Sequence, residues 1–109
     1  IELPQAEIAF FRDILSGVVR EQRLVDRTVD ELLAKDWPLK RVEAVVRAIL
    51  RAGAYELAFR KDVPARAVIS EYVAVARAFY EGDEIGMVNA VLDRMARDFR
   101  TDEFDPASA

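Results

Sequence analysis

The chain has 109 residues, 52% of them hydrophobic and 33% charged, enough for one packed domain and too few for two comfortable ones. It contains neither cysteine nor histidine, which excludes thiol nucleophiles, disulfides, Cys/His zinc sites, Ser-His-Asp triads and carboxylate–histidine diiron sites together. Sixteen Lys and Arg against twenty Asp and Glu leave a formal charge of −4, which argues against binding nucleic acid or anionic lipid with the whole surface. Residues 35–66 nonetheless carry eight basic and four acidic side chains, a density that a solvated helix face accounts for. The longest stretch without a charge, Ile85 to Leu92, is eight residues, far short of the roughly 18 that span a bilayer, and no basic-then-apolar leader opens the chain. These features predict a soluble, cytoplasmic protein with no membrane partner.

Four glycines and four prolines punctuate long periodic segments. After Leu3-Pro4, the apolar residues Ile8, Phe11, Leu15, Val18 and Val19 lay one stripe along a first helix, with Ser16-Gly17 as a point where it could bend. A second helix is predicted from Asp26, read as its N-cap, to Lys35, with Val29, Leu32 and Leu33 on one side. It ends near Trp37-Pro38, where Trp37 plugs the bundle end, because the residue before a proline is driven out of the α region. From Leu39 the face Val42, Val45, Val46, Ile49, Leu50, Gly53, Ala54, Leu57 and Ala58 is the most regular in the chain and predicts the central helix. Gly53 within it marks a close crossing, since glycine sacrifices about 1 kcal/mol of helix propensity there. Asp62-Val63-Pro64 then caps a fourth helix with a stripe of Val68, Tyr72, Val73, Ala76 and Phe79. Gly82-Asp83-Glu84 breaks it, and a fifth carries Val88, Val91, Leu92, Met95 and Phe99. Phe10, Phe11, Tyr55, Phe59, Tyr72, Phe79, Met87 and Met95 all fall where core residues belong.

No alternating run bounded by turn signals predicts a strand, so the expected fold is all-α, a compact bundle of about five helices. The carboxylates Asp26/Asp30, Glu43, Glu71 and Asp83/Glu84 are the only acid/base groups available. None stands at a recognisable spacing from a nucleophile, and they read as caps, surface charges and i,i+4 partners. The chain is therefore not expected to be an enzyme or to hold a metal or cofactor.

Five segments carry a more specific signal. Arg51-Ala52-Gly53-Ala54-Tyr55-Glu56-Leu57, then Arg60-Lys61-Asp62-Val63-Pro64 and Val68-Ile69-Ser70-Glu71-Tyr72, resemble the central signature of the NusB family of transcription antitermination factors. Phe11-Arg12-Asp13-Ile14-Leu15-Ser16-Gly17-Val18 and Val88-Asn89-Ala90-Val91-Leu92-Asp93 resemble two further blocks of that family, in the same order. The resemblance implies a single NusB-like domain over residues 1–100, with residues 101–109 as an acidic flexible tail. Family members open with an arginine-rich segment, so the resemblance also implies that the family's first helices are missing from a chain that starts at Ile1.

The same resemblance implies a non-enzymatic antitermination factor that binds boxA RNA of ribosomal RNA transcripts with a small-subunit ribosomal protein acting as NusE, and so supports elongation by the RNA polymerase antitermination complex. By position, Asp83 and Met87 fall in the region the family uses near RNA, Met87 replacing a common Phe, while Asp83 alone reads as the N-cap of the last helix. Ala90 stands in place of the family's usual Gly. Val46 and Arg47 fall on the face used for the partner protein, Val46 where relatives carry an acidic residue. Without the arginine-rich start, weak RNA binding is expected, and uncovered apolar faces at Phe11/Leu15/Val18 and from Val42 to Leu57 favour self-association. The alternatives are an RNA-facing module of a ribosomal RNA cytosine methyltransferase and a structural dimerisation bundle.

Overall fold

The computed structural model describes residues 5–36 and 44–104. Among them every regular element is a helix: α1 (Gln5–Arg20), α2 (Gln22–Asp36), α3 (Ala44–Phe59), α4 (Ala65–Phe79), α5 (Asp83–Phe99) and the single turn α6 (Thr101–Phe104). The all-α bundle expected from periodicity is the fold, with one short helix beyond the five. The expectations for Leu3-Pro4, Trp37-Pro38, Val42, Glu43 and residues 105–109 lie outside the described residues.

The central position of α3 follows from its sequence. It packs against α1, α2, α4 and α5, and Val46, Ile49, Leu50, Gly53, Ala54 and Leu57 are all buried. At Gly53 a Cβ would stand 2.6 Å from a Leu92 methyl and 3.5 Å from the Tyr72 ring, so α5 and α4 both close on α3 where the sequence leaves out a side chain. The α3 face from Val46 to Leu57 is thus covered, while Val45 stays 40% exposed.

On α1 the structure differs from the periodic stripe. Ile14 and Gly17 are buried and Phe10 and Val18 pack against the core, whereas Phe11, Leu15 and Val19 are 61%, 55% and 71% exposed. The reason is Tyr55, whose ring lies against the Gly17 backbone so closely that a Cβ on Gly17 would fall inside it. The helix therefore turns its glycine toward α3, and the neighbouring apolar line faces outward.

The predicted start of the second helix also shifts. The Glu21 amide donates to the Gly17 carbonyl at 2.8 Å and the Val25 amide to the Glu21 carbonyl at 3.0 Å, so helical bonding runs from α1 into α2 without an end that Asp26 could cap. Of the aromatic residues assigned to the core, Tyr55 is 2% exposed, but Phe59 is 40% and Phe79 62% exposed. Phe79 is the last residue of α4, and the chain turns away immediately after it.

Gly82 at φ +85° takes the turn between α4 and α5, a conformation side chains resist. It occupies the N-cap of α5, with no side-chain cap, and Asp83 is the first helical residue instead. There its charge still favours the helix dipole. The start of α4 likewise lacks a local side-chain cap. Its Ala65 amide donates to Glu103 Oε1 at 2.9 Å, so part of the segment predicted to be a flexible tail is an ordered, bonded turn.

Candidate functional site

Four residues of the signature blocks, Asp13, Tyr55, Arg60 and Asp62, form one connected set. Tyr55 donates its hydroxyl to Asp13 at 3.2 Å and accepts from Arg20 at 3.1 Å. Arg60 donates to the same Asp13 oxygen at 3.0 Å and grips Asp62 through two bonds of 3.0 Å, with its guanidinium 4.3 Å above the Phe10 ring. Burial and the Asp13 carboxylate push the Tyr55 phenol above its ordinary pKa, and the Arg60 bonds pull Asp62 below the usual carboxylate range. Phe11-Arg12-Asp13 is thereby tied to Tyr55 and Arg60, 42 and 47 residues away in sequence.

Two further arginines of the basic third are spent in the same way. Arg51 pairs with Asp26 at 2.6 Å and Arg47 pairs with Asp30. Arginines of α3 thus sew α3 to acidic positions on α2. Each half-exposed pair contributes on the order of 0–1 kcal/mol, but together they fix how α2 sits on α3.

Arg100 is the residue that sequence reasoning missed. Its side chain is 1% exposed and donates to the carbonyls of Leu57 (2.7 Å), Val63 (2.9 Å), Arg60 (3.0 Å) and Glu56 (3.1 Å), and to Glu103 Oε2 (2.6 Å). A cation thus caps the carbonyl end of α3, while Glu103 carries an anion to the amide end of α4. Its one sequence signal is an arginine closing an apolar helix with a glutamate three residues on, which helix ends commonly show.

Glu56 is 5% exposed. Burial pushes its carboxyl above the ordinary range, against the opposing effect of the Tyr72 hydroxyl bonded to it, and burial with Glu56 pushes the Tyr72 phenol far up. A carboxyl raised in the folded state stabilises the fold below its unfolded pKa, and that contribution is lost as pH rises through the folded value. Glu56→Gln keeps an acceptor for Tyr72 and removes the buried charge. Its thermal midpoint should exceed the parent's at pH 7, with the gap closing toward a pH of about 4. A gap that stays constant across this range would show that Glu56 does not titrate in a desolvated site.

The four residues singled out by resemblance lie in two places. Asp83 is exposed on the first turn of α5 and Met87, one turn on, is 6% exposed and packed inward. Val46 is 1% exposed and belongs to the core, while Arg47 beside it reaches the surface with Asp30. Between α4 and α5 runs a groove of about 300 Å³ lined by Arg66, Ile69, Ser70, Val73, Arg77 and Asn89. Among the described residues no helix is long and apolar enough to cross a membrane, and no group of three acidic side chains converges as a metal site would need.

Fold and site together define an all-helical domain whose signature residues are spent on interhelix bonding, leaving grooves and charged faces for partners. The NusB family model matches residues 1–97, and the chain belongs to the NusB family. The Transcription antitermination protein NusB of Rhodopseudomonas palustris (strain BisB5) is 68% identical over 99 residues, covering 91% of this chain and 57% of that protein. Its counterpart from Bradyrhizobium diazoefficiens is 66% identical, covering 91% and 60%. NusB of T. maritima superimposes with a TM-score of 0.81 at 27% identity, over 94% of this chain and 72% of that one. The chain thus spans about 57–60% of the length of these two curated relatives.

Proposed function

We propose that the chain acts in transcription antitermination without catalysing a reaction. With a small-subunit ribosomal protein serving as NusE, it binds boxA RNA in ribosomal RNA transcripts and supports RNA polymerase elongation in the cytoplasm. The observation that carries this reading is the 66–68% identity to proteins named for antitermination, which also gives it precedence over a methyltransferase module. Asp83, exposed at the start of α5, is the RNA-proximal candidate, with Met87 supporting the turn beneath it. Arg47 is the surface member of the partner face, with Val46 holding it on the core. Self-association, where it occurs, would use the outward Phe11, Leu15 and Val19.

Binding of this chain to boxA RNA and to a scrambled RNA of equal length, with and without the ribosomal partner, tests the reading. The expected result is weak binding alone, because few phosphates are neutralised, and tighter, boxA-selective binding with the partner present. Equal affinity for the two RNAs in the presence of the partner would overturn it.

A further inference from the structure

The groove between α4 and α5 has no role in the wiring described above. Its α4 wall is built by Arg66, Ser70, Val73 and Arg77, at spacings of four, three and four residues that place all of them on one helix face. Ile69 and Val73 supply an apolar floor, and Asn89 faces them from α5. Neither arginine has an ion-pair or hydrogen-bond partner among the described residues, unlike Arg47, Arg51, Arg60, Arg94, Arg97 and Arg100, which all do.

The acidic side chains nearby do not cancel this charge. Asp93, one turn beyond Asn89, is held by Arg97 at 2.9 Å. Glu71 is exposed next to Ser70, and its charge acts on Glu56 and Tyr72. In a chain of net charge −4, the groove therefore keeps two free guanidinium groups facing one apolar-floored slot.

We infer that this groove holds a segment of single-stranded RNA, Arg66 and Arg77 each taking a phosphate and Asn89 a base edge between them. The arginines are eleven residues apart, roughly 16 Å along the helix axis, so each engages its own phosphate. A slot of about 300 Å³ takes a splayed nucleotide and not a duplex, and single-stranded segments are where proteins read RNA bases. The Asn89 amide offers one donor and one acceptor, the pairing adenine presents, and the Ser70 hydroxyl serves a sugar or phosphate oxygen. The inference rests on the RNA-binding reading above and adds a second contact to it, on a different face of α5 from the inward Met87.

The test compares the parent with Arg66→Gln/Arg77→Gln and with Asn89→Ala, titrating salt against boxA RNA and against an unrelated single-stranded RNA of equal length. Both arginines are exposed and unpaired, so unfolding midpoints should match the parent's. The double variant should lose about 1.4 from the slope of log affinity on log salt, about 0.7 for each phosphate released. Asn89→Ala should weaken adenine-containing RNA several-fold at an unchanged slope.

A double variant with the parent's slope would overturn the groove assignment and leave the boxA reading standing if boxA is still preferred. A reduced slope with no preference for boxA would support the groove and overturn the boxA reading, and no binding to either RNA would overturn both. Displacement of RNA by polyglutamate at equal charge concentration would reassign the groove to an acidic protein partner.

Discussion

Arg100→Met should destabilise the domain by about 3 kcal/mol or more, the range for breaking a buried ionic group away from its partners, and lower its thermal midpoint by roughly 10–20 °C. The carbonyls of Glu56 and Arg60 keep backbone donors, from the Arg60 and Val63 amides. The loss therefore falls on the carbonyls of Leu57 and Val63 and on Glu103, which Arg100 also serves. Each buried acceptor left without a donor costs about 1–3 kcal/mol, and methionine fills much of the volume while donating nothing. Arg100→Lys should recover little, because an ammonium cannot reach the same fan of acceptors as a planar fork. Glu103→Gln keeps an oxygen for the Ala65 amide and should cost less than either. Denaturant midpoints by circular dichroism measure all three. An Arg100→Met loss below about 1 kcal/mol would mean that water takes over the carbonyls and that the clamp is not structural.

Gly53→Leu is expected to be the other large loss. A Cβ alone comes within 2.6 Å of Leu92, which is itself 0% exposed, and the remaining leucine atoms must push α5 or α4 away from α3. Overpacking of a dense core costs about 1–3 kcal/mol and occasionally more, against roughly 1 kcal/mol regained by removing a helical glycine. With Leu92 fully buried the cost falls at the upper end of that range, and the net expectation is a loss of about 2 kcal/mol. Gly53→Ala meets the far end of one flexible side chain, so its expected change lies between none and about 2 kcal/mol. A leucine variant with the parent's midpoint would show that the three helices do not cross at Gly53.

The helices, their order and the hub were legible in the residues themselves. Proline and glycine positions, together with apolar residues every three or four places, report a helix's own geometry, and α3 carries the most regular apolar face. Gly53 was legible for the same reason, as a helical glycine is unfavourable unless something lies against it. The resemblance blocks contain the bonded residues Asp13, Tyr55 and Arg60 without showing their tasks. Asp13, Tyr55 and Arg60 mean little until α1 and the end of α3 meet.

Which face of α1 turns inward could not be read from its stripe. Phe11, Leu15 and Val19 are as apolar as the buried residues, and the choice was made by the Tyr55 ring against Gly17. The caps were hidden too: the amide end of α4 is met by Glu103, 38 residues away, and the carbonyl end of α3 by Arg100, over 40 residues away. Local periodicity determines that a segment is a helix and which of its residues are apolar. The burial of a charge is decided only where distant chain ends converge, because a guanidinium is tolerated in the interior only when several carbonyls and a carboxylate arrive around it together.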